Sequence, residues 1–168
     1  MGAAARDPRA GEPLARRGRR VRRRARLPHR GRRRGALGPA VRLRVLPGEH
    51  AVCRLAEGAR TPDPPATAGG FWSLTLAGAE RSLVCAEALA PTDGVVVGGW
   101  RILELAGPLD LGLVGVLAAV AAPLAHAAVP VFPIATHDTD WILVPGERLA
   151  AAVGALRAAG HEVDGAEG

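Results

Sequence analysis

The strongest constraint on this chain is that it contains a repeat of its own pattern. Without gaps, "FWSLTLAGAERSLVCAEAL" (71–89) lies over "VFPIATHDTDWILVPGERL" (131–149). Leu74 then meets Ile134, Glu80 meets Asp140, Leu83 and Val84 meet Leu143 and Val144, and Glu87 meets Glu147. Further upstream, Leu43 and Val45 fall on Leu103 and Leu105. Few residues are identical, but the order strand, turn, strand, Glu-led helix recurs, which is the mark of a duplicated unit.

The second unit predicts a full set of elements. "WRILELA" (100–106) alternates as a strand does, and "LGLVGVLAAVAAPLAHA" (111–127) is an uncharged helical run. "VPVFPIAT" (129–136) and "DWILVP" (140–145) read as a hairpin, and "GERLAAAVGALRAAG" (146–160) as a helix stopped by Gly160. "HEV" (161–163) closes the unit as an edge strand. The order β-α-β-β-α-β is the ferredoxin-like arrangement, an α+β class. In the first unit "RLRVLP" and "EHAVCRL" are strands, but residues 56–70 carry three prolines where the first helix belongs, so that segment reads as a loop.

Ahead of these units the charge is lopsided. Residues 1–34 hold fourteen arginines against Asp7 and Glu12, a net +12; the remainder has a net −6, and the chain sums to +6. Such a tail repels itself and buries nothing, so residues 1–40 are expected to lack structure. Nucleic-acid binding through that tail is one alternative, and an over-extended gene start is another. A secretion signal lacks its apolar core and a transit segment lacks its serines. The mildly acidic body gives no reason of its own to bind nucleic acid.

From Leu111 to Thr136 no residue is charged, yet Pro123, Pro130 and Pro133 cut the run to lengths that suit a buried helix and not a membrane span. Cys53 and Cys85 stand in apolar contexts without metal spacing, as reduced thiols of a cytoplasmic protein or as a bridge between neighbouring strands. Ser73 and Ser82 are the only serines and neither sits in a nucleophile elbow; no phosphate-binding loop occurs. No enzyme, catalytic residue or cofactor is expected, and His137, Asp138 and Asp140 alone are a poor metal set.

With these residues in place, "GGWRILELAGPLDLGLVGVLAAVAAPLAHAAVPVFPIATHDTDWILVPGERLAAAVGALRAAGHEV" resembles the second ACT domain of the CASTOR-type tandem ACT family. "LPGEHAVCRL" and "GGFWSLTLAGAERSLVCAE" resemble its first half in degenerate form. The resemblance implies a unit at 41–98, a C-terminal ACT domain at 99–164, and a regulatory, amino-acid-binding class of function. It also implies a pocket between the units, to which the first half contributes.

The candidate site follows from a helix start. The first N–H groups of a helix lack intrahelical acceptors and its dipole is positive there, so that end holds a carboxylate. Gly107, Leu109, Asp110, Gly112, Leu113 and Val114 occupy that turn, and Thr136, Asp138 and Asp140 the adjacent hairpin. Asp110 has two open roles, cap of the helix or partner of a ligand's ammonium. The hairpin aspartates equally have the common role of bonding their own backbone. A small-molecule ligand is thus the first expectation. A homodimer or unidentified protein partner, through an uncovered helix face or sheet edge and with no ligand, is the second.

Overall fold

The computed structural model describes residues 38–65 and 70–165. Most of the arginine-rich tail lies outside the described residues. Its last three residues, 38–40, are described and form neither helix nor strand; Gly38 comes so close to Gly115 that an added Cβ would stand 2.1 Å from the Gly115 carbonyl oxygen.

The strands are β1 (Arg42–Val45), β2 (His50–Leu55), β3 (Ser73–Ala77), β4 (Glu80–Ala86), β5 (Gly94–Leu105), β6 (Phe132–Ala135), β7 (Asp140–Pro145) and β8 (Glu162–Asp164). The helices are α1 (Val116–His126) and α2 (Leu149–Ala158). The twelve residues of β5 organise the sheet. Its first half pairs antiparallel with β2, as in Val52 opposite Val97. Its second half lies between β1, with Leu43 opposite Leu105, and β7, with Ile102 opposite Leu143. Between the halves, two steps of β2 face three of β5, since His50 opposes Trp100 while Val52 opposes Val97. Gly98 and Gly99 absorb that extra residue, Gly99 at φ +73°, where a side chain would be strained.

Two strand groups therefore share β5. One has the order β3-β4-β2-β5. The other runs β6-β7-β5-β1-β8, with β1 and β8 parallel. The expected closing strand does sit at the edge, at 162–164, but beside β1 and not β5. β1 is inserted between them, a long-range pairing that local periodicity does not reveal. Residues 56–65 form neither helix nor strand, and residues 66–69 lie outside the description.

Both helices cover one face of the second group. Val116, Val120 and Leu124 of α1 and Leu149, Ala152, Val153 and Leu156 of α2 pack on Leu43, Val45, Leu103, Leu105, Ile142, Val144 and Val163. The i, i+3, i+4 spacing of the helical set and the alternation of the strand set meet in one core. Fully burying each leucine or valine contributes roughly 1.5–3 kcal/mol before entropy is counted. The opposite face carries Phe71, Trp100, Phe132 and Trp141, with the Phe71 and Trp141 ring centroids 4.7 Å apart.

α1 begins at Val116, five residues later than the uncharged run suggests. Asp110 and Gly112 make a turn first, and Gly115 is the residue before the helix, at φ +90°. Pro123 lies inside α1 and has no N–H for the carbonyl four residues back. That carbonyl, on Ala119, is 3.0 Å from His161 Nε2, while His161 Nδ1 lies 3.2 Å from the Val41 amide nitrogen and accepts its hydrogen. Those two partners specify a ring protonated at Nε2.

Candidate ligand cavity

Strand β5 ends at Leu105, and the chain turns through a cis Gly107–Pro108 bond. The β6–β7 hairpin closes over this turn through three contacts. The Leu109 amide donates to the Asp138 carbonyl at 2.7 Å. The buried Thr139 hydroxyl donates to the Leu105 carbonyl at 2.6 Å. Gly107 permits that approach, because a Cβ there would lie 2.8 Å from the Asp138 carbonyl oxygen and 3.2 Å from Thr139 Cβ. The hairpin itself is held by the Thr136 hydroxyl and amide, both donating to the Thr139 carbonyl, at 2.7 and 2.9 Å.

Asp110 folds its own turn. Its Oδ1 accepts the Gly112 amide hydrogen at 2.8 Å and its carbonyl accepts that of Leu113 at 2.9 Å. It is therefore not the cap of α1, which has no side-chain cap bond. The first N–H groups of α1 keep the unmatched donors of a helix start.

Between turn and hairpin lies a cavity of about 170 Å³. This is close to the ~150 Å³ that encloses one benzene in an engineered protein cavity. Of the residues singled out in the sequence, Leu109, Asp110, Leu113, Thr136, Asp138 and Asp140 line it; Gly107, Gly112 and Val114 do not. Gly107 acts behind the wall, as described. Val114 is exposed to 66%. Leu111, Val116, Ala135, His137 and Thr139 complete the lining. Thr139 is the lining residue that sequence reasoning missed: its burial and its partner, the Leu105 carbonyl, come only with the fold.

Three acidic residues, Asp110, Asp138 and Asp140, are among the lining residues and no Arg is. His137 Nδ1 is 2.7 Å from Asp138 Oδ1, both side chains largely exposed. The lining thus combines the acidic Asp110, Asp138 and Asp140 with the apolar Leu109, Leu113 and Val116, the last of which is the first residue of α1. Every lining residue belongs to the second strand group, so this cavity does not include the expected first-half contribution. A larger cavity of about 290 Å³ lies between residues 38–40 and the helices, lined mainly by Ala and Pro with His126 and His161. It gathers no charged pair of donor and acceptor.

Other candidates are elsewhere. Among the described residues no group of three or more His, Cys, Asp or Glu side chains is placed to hold a metal ion. No described helix is long and apolar enough to cross a membrane. Cys53 and Cys85 are free, buried thiols on the adjacent strands β2 and β4. Burial raises both above the usual thiol range, Cys85 to about 11 with the Cys53 sulfur adding to the shift. Ser82 donates to its neighbour Glu80 at 2.6 Å.

The arrangement of two helices on one face of a mixed sheet is an α+β, ferredoxin-like fold of the ACT type, and residues 95–158 match the ACT domain family. Among solved structures, the chain is similar to protein Atu0741 of Agobacterium tumefaciens, at 31% identity and a TM-score of 0.65, covering 74% of this chain and 92% of that one. The chain belongs to the family of that protein, and it contains an ACT domain. Two more distant structures share the fold. One is VC0802 of Vibrio cholerae, a protein of unknown function described as a possible transport protein, at 18% identity, a TM-score of 0.52 and coverage of 71% and 90%. The other is that of the aspartokinase alpha and beta subunits, at 12%, 0.50, 72% and 98%. No curated protein sequence matches the chain.

Proposed function

We propose that this protein is a regulatory, non-catalytic binding protein of the ACT class and that its ligand is an amino acid. The ligand sits in the cavity between turn 107–115 and hairpin 136–140. Its carboxylate meets the unmatched amides at the start of α1, and its ammonium meets Asp110, Asp138 or Asp140. One observation carries this reading: turn and hairpin line one open cavity to which Asp110, Asp138, Asp140 and the first residue of α1, Val116, all contribute.

The tandem organisation belongs to the same reading. Residues 41–98 are an ACT-like unit that has lost its helices, and residues 99–164 are a complete one. In support, β3-β4-β2-β5 has the strand order of a ferredoxin-like sheet, and the repeat register lays the start of β4 on that of β7 and the start of β3 within one residue of that of β6. The unit boundary falls at the Gly98–Gly99 irregularity of β5.

A thermal-shift screen of the full chain against the twenty amino acids tests the proposal. A ligand that binds only the folded state stabilises it as RT ln(1 + [L]/Kd), so one or more amino acids should raise the melting temperature along a saturable curve. A flat response to all twenty at millimolar concentration counts against it. A second reading, an association module without ligand, is favoured by the exposed valines at 95–97.

A further inference from the structure

We propose that the arginine-rich tail of this chain is itself an occupant of the open cavity beside turn 107–115. Its guanidinium groups pair with the lining aspartates, and any other ligand must displace them. The first described residue, Gly38, leads to that place. Going back from β1, Val41 meets His161, just after α2, and Gly38 meets Gly115, the residue before α1. An added Cβ at Gly38 would also stand 3.0 Å from Ala119 Cβ. The tail therefore joins the fold at the head of α1, whose first residue, Val116, lines the cavity, and not at its far end.

Charge selects this occupant. Asp110, Asp138 and Asp140 line the cavity together. Among the described residues, Arg42 pairs with Glu162 and Asp164, Arg44 with Glu104 and Arg60 with Asp63, while no Arg pairs with any of these three aspartates. Residues 1–34 carry a net +12 and the remainder −6. The surplus of Arg and the acids without one are thus parts of the same chain. Guanidinium–carboxylate pairs are among the stronger hydrogen-bonded contacts, because both partners are ionised and the fork can hold two oxygens.

Reach and concentration favour the tail over a free cation. Arg32, Arg33 and Arg34 lie four to six residues before Gly38. An extended chain spans about 3.3–3.6 Å per residue, so all three reach the turn. A group tethered this closely meets its site at an effective concentration on the order of millimolar, and weak pairing is enough to hold it there. A ligand that binds against the tail fills the cavity only at a higher concentration than the bare site would need. The pairing is electrostatic, so salt weakens it: the Debye length falls from about 8 Å at 0.15 M to about 3 Å at 1 M.

This inference rests on reading the cavity as a binding site but not on its ligand being an amino acid, and its test uses none. The wild-type chain is compared by amide NMR with a full-length variant carrying Arg30→Ser, Arg32→Ser, Arg33→Ser and Arg34→Ser. At about 20 mM salt the two spectra should differ at residues 109–116 and 136–140 and agree across β2, β3 and β4; at about 1 M salt the difference should vanish. The hairpin amides decide the matter, because a change at residue 34 has no other short route to them. A synthetic peptide of residues 29–37, added in trans, should shift the same amides of the variant saturably and should bind the wild-type chain at least several-fold more weakly. Spectra that coincide at 136–140 overturn the inference, as does a peptide that shifts other residues or binds both chains equally. If the shifts appear while all twenty amino acids leave the Tm of both chains unchanged, the amino-acid reading fails and this one stands. If an amino acid raises the Tm of both chains alike and the spectra coincide, the reverse holds.

Discussion

His161 donates from Nε2 to the carbonyl of Ala119, 3.0 Å away, which is the carbonyl that Pro123 leaves without a helical partner. The side chain just after α2 thereby repairs a defect in α1, and its other nitrogen accepts from the amide of Val41, the residue before β1. A buried carbonyl and amide left unmatched cost about 1–3 kcal/mol each. His161→Leu should thus lower stability by roughly that amount or more. Pro123→Ala returns an N–H to the helix, so the same leucine substitution should cost less in that background. Urea unfolding of the four proteins gives the coupling; additive effects would show that the histidine does not serve this carbonyl.

Gly107 is predicted to matter although it does not line the cavity. Alanine there puts a methyl 2.8 Å from the Asp138 carbonyl oxygen, a backbone atom that moves only with the hairpin. Gly107→Ala should destabilise by about 1–3 kcal/mol, the usual cost of overpacking, and should weaken any ligand that bridges turn and hairpin. Melting temperature and affinity measured together check this; an unchanged Tm would mean that the contact is looser than its geometry.

His50 introduces a dependence on pH. It is 3% exposed, and burial, then the nearby Arg101 charge, lowers its pKa from 6.5. The unfolded chain takes up this proton as the pH falls below about 6.5, whereas the folded chain resists it. Stability from this group is therefore complete above that pH and declines through the acid side, toward the lower folded value. Denaturation midpoints at about pH 7.5 and about pH 5.5 should differ less in His50→Leu than in the wild type. An equal difference in both would assign the acid loss to other groups.

Cys53 and Cys85 should be inert in the folded protein. Each is 1% exposed, and the thiolate needed for alkylation is disfavoured at both, Cys85 having a pKa of about 11. Iodoacetamide at about pH 8 should leave both unmodified in the native chain and label both in denaturant, as read by intact mass. Labelling at the native-state rate of an exposed thiol would contradict the packing of β2 on β4.

Much of the second half was legible because its helices and strands carry complete periodic patterns. Residues 146–160 read as a helix stopped by Gly160 and α2 occupies Leu149–Ala158, while the hairpin read from 129–136 and 140–145 is β6 and β7. The start of α1 was misjudged because leucines and valines continue through 111–114, while Asp110 and Gly115 favour a turn and a left-handed residue before the helix. β5 was read from residue 100 onward, since three consecutive valines beside glycines show no alternation. The insertion of β1 between β5 and β8 depends on partners sixty and one hundred and twenty residues away. The histidine that completes α1 was equally hidden, as only the fold brings it to the proline's vacancy. At the cavity the residue types were readable, but the donor role of Thr139 needed the position of the Leu105 carbonyl.

The proposed amino-acid site spans turn 107–115 and hairpin 136–140. Backbone amide NMR of the full chain, titrated with the amino acid that most raises its Tm, tests this most directly. Saturable shifts should concentrate at residues 109–118 and 135–140, with affinity weakened at least several-fold by Asp140→Asn. Saturable shifts confined to other regions, or none at any amino-acid concentration, would contradict it.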